Sequence, residues 1–184
     1  MNENRFNLSL DVPTMTNIKV SEFRPVSREM YNKIVANDDW EIVTKYDELK
    51  MPERATRGSA GYDIYTPINI KLNPGESVLV PTCIKCRIRP NYVLLIMPKS
   101  GLGLKYGIQL SNTIGVIDAD YYGIEAVGMT NEGHIMIKIV NTGKEIFELE
   151  AGSKFCQGIF MPYGITINDA VTSKRNGGLG STGK

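Results

Sequence analysis

Histidine is nearly missing from this 184-residue chain, which carries only His134. A Ser-His-Asp triad would have to be built on that residue. It stands in an Asn-Glu-Gly-His turn, and the sequence contains no G-x-S-x-G elbow. A histidine-based metal centre fails for want of ligands. Cysteine is scarce too, and its odd count of three suits free thiols in a reducing compartment. Cys83 and Cys86 form C-I-K-C, but there is no second C-x-x-C pair. The surrounding VLVPTCIKCRI reads as a strand in which residues three apart face opposite sides, so both are assigned to packing. The longest apolar run, residues 92–97 (YVLLIM), is far too short to span a bilayer. The opening MNENRFNLSLDVP lacks the basic and apolar regions of a signal peptide. Net charge is only +1, which implies no overall pull towards nucleic acid or anionic membrane. The expectation is a cytoplasmic protein with neither partner.

Hydrophobic content of 42% and this length suffice for one domain with a substantial core. Residues 1–39 differ from the rest. There Ser27 stands as an N-cap before Met30/Ile34 and Tyr31/Val35 at i, i+4 spacing, which predicts one short amphipathic helix in an N-terminal extension. From Trp40 onwards short strands are punctuated by turns. The candidates are residues 41–46, 78–88, 92–97, 135–140, 145–149 and 154–161. In HIMIKIV, Ile135, Ile137 and Ile139 share one face and Lys138 takes the other. The expected fold is all-β, a sandwich or jelly roll over residues 40–170, with a glycine-rich arm over 171–184.

Three glycine-flanked polar stretches interrupt the strands. In residues 58–64 (GSAGYDI), Asp63 taken alone reads as a turn residue. Residues 98–103 (PKSGLG) combine a cation, a hydroxyl and pliable backbone, which suits phosphate oxygens but also describes many ordinary loops. In residues 112–123 (NTIGVIDADYYG), Asp118 and Asp120 would share a face of a strand. Such a carboxylate pair marks a general base or a metal site, or else a solvated strand end. One of Tyr121 and Tyr122 would be left as a stacking platform. The C-terminal residues 175–184 (RNGGLGSTGK) match G-x-x-x-x-G-K, yet no Ser or Thr and no helix follow, so a phosphate loop of the usual kind is not expected.

In this order and spacing the stretches resemble the five motifs of the trimeric dUTP pyrophosphatase (dUTPase) family. AGYD at 60–63 is similar to the first, PKSG at 98–101 to the second and GVIDADY at 115–121 to the heart of the third. KFCQ at 154–157 is similar to the fourth and GGLGSTG at 177–183 to the fifth. The segment 123–160, with NEGH and QGIFMP, is closest to Gram-positive bacterial and phage members. The resemblance implies a jelly-roll homotrimer with shared sites. Its reaction would be hydrolysis of dUTP to dUMP and pyrophosphate, with Mg²⁺ held by phosphates and water rather than by protein ligands. It implies that Asp118 contacts the 3′-hydroxyl and activates the attacking water. Tyr121 would pack under the sugar and exclude a 2′-hydroxyl, and Asn112 would serve the uracil end. The backbone around Gly115 and Ile117 would line that end of the site. Lys99, Ser100, Gly101 and Gln157 would contact phosphates, and Asp63 would support the site. Arg175, with Lys174 as understudy, would reach the γ-phosphate. Leu179, Gly180, Ser181 and Thr182 would close over the nucleotide.

Departures from the family pattern are specific. Lys99 and Lys154 stand where arginine is usual, which keeps charge and loses bidentate geometry. Leu179 replaces a base-covering phenylalanine and forgoes ring stacking of about 1 kcal/mol. Residues 124–132 lengthen the hairpin beside the base. Two rivals remain: a regulatory protein of this fold that binds a repressor-type partner, and a dCTP deaminase.

Overall fold

The alternation in HIMIKIV sets the core. Ile135, Ile137 and Ile139 are buried while Lys138 faces out, as a half-buried antiparallel strand requires. The computed structural model describes residues 18–123 and 131–175. In chain order its elements are β1 (Ser21–Pro25), α1 (Arg28–Val35), β2 (Glu53–Arg54), β3 (Tyr62–Tyr65), β4 (Ile70–Leu72), β5 (Ser77–Pro81) and β6 (Ile84–Ile88). Then come β7 (Tyr92–Pro98), α2 (Ser100–Tyr106), β8 (Ile108–Leu110), β9 (Gly115–Ile117), β10 (Met136–Asn141), β11 (Phe147–Leu149) and β12 (Lys154–Pro162). The sheets run β2-β3-β12-β7-β9, β5-β10-β8, β11-β4 and β1-β6, and their pairings are antiparallel. Ile64, Leu94, Ile96 and Phe155 from the five-stranded sheet pack in one core with Val80, Ile108, Ile137 and Ile139 from the three-stranded one. This is the all-β jelly-roll arrangement expected from the sequence.

Ser27 caps α1 as expected, its hydroxyl accepting from the Met30 amide at 3.0 Å. β1 pairs along β6 from Ser21↔Ile88 to Pro25↔Ile84. Val26 and Ile34 bury against Cys83, and the Trp40 indole donates to the Leu79 carbonyl at 2.7 Å. The N-terminal elements are therefore joined to the fold, β1 through its ladder with β6 and α1 through Ile34 packed with Val26 and Cys83.

Four expectations need correction. Residues 41–46 are not a strand: Ile42 makes one isolated bridge to Ile68, and Tyr46–Glu48 is a 3-10 turn fixed by the Tyr46 hydroxyl on the Val26 carbonyl. The run 78–88 breaks at Thr82 and Cys83. There the Thr82 hydroxyl bonds the Ile135 carbonyl and Cys83 takes φ +58°, ending β5 and starting β6. Cys83 is thus a turn residue, although its assignment to packing stands, since all three cysteines are free and buried. Residues 100–106 form a helix rather than an open loop, and Gly107 closes it at φ +72°. Finally, Asp118 and Asp120 do not lie in a strand. β9 ends at Ile117, and Ala119–Tyr121 is a 3-10 turn in which the Tyr121 amide bonds the Asp118 carbonyl.

Candidate active site

Two polar clusters gather the sequence-predicted residues. The first lies where β12 crosses between β3 and β7. Gln157 pairs with Asp63, and a register shift between Lys154 and Cys156 interrupts the ladder. Without it, Lys154 and Gln157, three apart, would face opposite sides; the bulge re-aims one of them. Both ammonium groups of this region meet on one carboxylate, Lys154 at 2.8 Å and Lys99 at 3.0 Å from buried Asp63. Burial pushes the Asp63 carboxyl up, but the two lysines outweigh it and hold it below the ordinary range. Lys99 precedes α2, and the Leu102 and Gly103 amides already bond its carbonyl. The first amides of α2, left without an intrahelical acceptor, are those of Ser100 and Gly101, both exposed.

The second cluster follows β9. Asn112 lies in the exposed turn between β8 and β9, where Thr113 takes φ +67°. Gly115 and Ile117 pair with Ile96 and Leu94 and deliver the chain to Asp118. Arg175 reaches back to bond both Asp118 and Asp120, the latter at 2.8 Å, and its guanidinium carbon lies 5.7 Å from the Tyr121 ring centre. Tyr121 is buried, so it is a fixed wall rather than a loose platform. Its hydroxyl donates to the His134 carbonyl and accepts from the Asn131 side chain, each at 2.9 Å. Burial raises the Tyr121 pKa, against the pull of Asn131 and Arg175. Lys174 is exposed. Leu179, Gly180, Ser181 and Thr182, and residues 124–130 of the predicted insert, lie outside the described residues.

Among the described residues, no group of three or more His, Cys, Asp or Glu side chains is placed to hold a metal ion. None of the helices described is long and apolar enough to cross a membrane. His134 is buried, and its Nε2 accepts from the Cys83 amide at 3.0 Å, which keeps the ring neutral. Sequence reasoning missed two features. Arg175 sits on the carboxylate pair, and Glu132 is tied to Ser27 and Lys85. The Glu-Gly dipeptide at 132–133 was the one local signal, since such pairs mark tight turns.

Among the described residues, no hydrogen bond or ion pair links the two clusters. The β7–β9 register, Leu94↔Ile117 to Ile96↔Gly115, carried one step further puts Asp118 level with Val93. Lys99, just past the end of β7, is six residues from that point, roughly 20 Å at the rise of an extended strand.

A sequence model of the dUTPase family matches residues 47–183. The chain is 38% identical over 148 residues to the deoxyuridine 5′-triphosphate nucleotidohydrolase of Lactococcus lactis, covering 78% of this chain and 96% of that one. Against the enzyme of the same description from Haemophilus influenzae it is 36% identical over 146 residues, covering 75% and 90%. A crystal structure of dUTPase from Streptococcus mutans superimposes with a TM-score of 0.60 at 33% identity, covering 78% and 97%. A dUTPase from phage phi11 of S. aureus, described with a structural Mg(II) ion, shares the fold at 19% identity and a TM-score of 0.58, covering 84% and 98%.

Proposed function

The chain belongs to the dUTPase family and is a dUTP diphosphatase, and from that premise we propose that it hydrolyses dUTP to dUMP and pyrophosphate through a site shared between copies. The observation that carries the sharing is the separation just described. A residue that activates water at the α-phosphorus and residues that grip the α- and β-phosphates must lie within one nucleotide's length. In one chain Asp118 and the Lys99–Gly101 turn lie at opposite ends of a ribbon. A second copy that supplies one of them would bring the two together, which supports a homotrimer.

In this reading Asp118 accepts the proton of a water aligned on the α-phosphorus, and its carboxylate also meets the 3′-hydroxyl. Ser100, Gly101, Lys99 and Gln157 bind phosphate oxygens. Asp63 prevents the two lysines from repelling each other and holds their ammonium groups on one side of the sheet. Tyr121, fixed through its hydroxyl, is the surface against which deoxyribose packs and a 2′-hydroxyl collides. Asn112 and the backbone at Gly115 and Ile117 receive the uracil. Mg²⁺, if bound with the nucleotide through phosphate oxygens and water, would supply counter-charge for the pyrophosphate leaving group. The hard oxygens of Asp118 and Asp120 suit hydrogen bonds from its water shell. Arg175 exchanges its carboxylate partners for the terminal phosphate when the nucleotide binds.

A nucleotide panel with Mg²⁺ tests this. Pyrophosphate release from dUTP, with little from UTP, dCTP or dTTP, is expected. Equal turnover of UTP would remove the role given to Tyr121, and ammonia from dCTP would reassign the site to deamination.

A further inference from the structure

Glu132 is the best-anchored acidic group outside the two clusters. One carboxylate oxygen receives the Ser27 hydroxyl. The other receives the Ser27 amide at 3.0 Å and the Lys85 ammonium at 2.7 Å. Lys85 is itself buried, and its ammonium lies over the Tyr122 ring, 5.4 Å from the ring centre. Burial raises the Glu132 carboxyl, and the bonds from Lys85 and Ser27 more than reverse that, so it stays ionised. The carboxylate also faces the start of α1, where the helix dipole favours negative charge.

Glu132 carries this anchorage in an unfavourable backbone conformation. Its φ is +56°, and such a residue persists only where its surroundings hold it there. Gly133 follows at φ +76°, and a side chain there would collide with the Tyr121 carbonyl. One on Gly123 would collide with the Glu132 backbone, and the Gly123 amide bonds the Glu132 carbonyl at 3.2 Å. The turn at 131–134 therefore lies directly on residues 121–123. From the same turn come both hydrogen-bond partners of the Tyr121 hydroxyl, the Asn131 amide and the His134 carbonyl.

We propose that Glu132 is a positioning residue of the nucleotide site: held by Ser27 and Lys85, it fixes the turn that sets the place of the Tyr121 ring. The N-terminal strand and helix are then part of the apparatus that selects the sugar. The proposal rests on the reading of Tyr121 as the ring under deoxyribose. A role confined to stability predicts a different outcome, because the core side of the turn has its own ties, through His134 to Cys83 and Ile135 to Thr82.

The test uses the full chain with Ser27→Ala, Ser27→Thr and Glu132→Gln. For each, kcat/KM is measured for dUTP and UTP, alongside hydrogen exchange at the Gly123 and His134 amides and the melting temperature. Ser27→Ala removes a single hydroxyl and carries the test even if Glu132→Gln does not fold. Expected are a preference for dUTP over UTP reduced about tenfold or more in Ser27→Ala, faster exchange at Gly123, and recovery of both in Ser27→Thr. A lower melting temperature with unchanged preference and exchange overturns the role of Glu132 alone. Absence of any dUTP preference in the wild type instead overturns the reading of Tyr121, and the proposal with it.

Discussion

Replacing the Asp118 carboxylate by an amide keeps its size and removes its charge and basicity. With Asp118→Asn, nucleotide affinity should stay within a few fold while kcat falls by about 10²–10⁴. Calorimetric binding and steady-state turnover read the two separately, and an unchanged kcat counts against Asp118 as the base. Asp63→Asn makes a different prediction. Two ammonium groups lose their shared counter-charge, so stability should drop by about 1–3 kcal/mol and KM for dUTP should rise, as denaturation and kinetics would report. The sequence pointed to Asp63 only by its place in a motif. Its lysine partner at position 99 is 36 residues away, and the pairing exists only once β3, β12 and β7 are adjacent.

At the turn joining the Tyr121 segment to β10, acid should act through His134. Burial holds its pKa down at about 4, against an ordinary 6.5, with Glu132 opposing weakly. Between those values the unfolded chain binds a proton that the folded chain refuses, so stability is full above about pH 6.5 and falls as pH drops towards 4. The loss approaches about 3 kcal/mol. Denaturant titrations at pH 7 and 4.5 should show a smaller difference in His134→Gln, whose carbonyl can still accept from Cys83. An equal difference would place the acid sensitivity elsewhere. Strands with clean alternation or long apolar runs, β7, β10 and β12, were legible in the sequence because burial on one or both faces writes itself into side-chain choice. Residues 41–46 misled because the β-branched run Ile42, Val43 and Thr44 favours a strand, yet only Ile42 finds a pairing partner, in a single bridge to Ile68. The break at Thr82 and Cys83 was invisible because its cause, the Ile135 carbonyl and the His134 ring, comes from 51–53 residues away. The α2 turn was hidden by its glycines, which read as loop although Lys99 and Gly107 bracket a helix. Likewise the carboxylate pair was legible as chemistry, but not the arginine that covers it.

For the assembled protein, sharing of sites makes a prediction that no single variant can give. Asp118→Asn chains and Ser100→Ala chains, each poorly active alone, should regain activity when unfolded together and refolded as mixtures. Some sites would then draw an intact Asp118 from one chain and an intact Ser100 from another. No recovery would mean both residues serve from the same chain. The three thiols add a way to watch the whole molecule come apart. Burial pushes Cys83 and Cys86 up to about 12 and Cys156 higher still, so at pH 8 roughly one thiol in ten thousand is the reactive thiolate at the first two positions. Native protein should ignore an alkylating reagent that modifies unfolded protein quickly. The cysteines sit in different elements: Cys83 in the turn between β5 and β6, Cys86 in β6 and Cys156 in β12. The order in which they become labelled under mild denaturant is thus a built-in clock for which of these elements opens first.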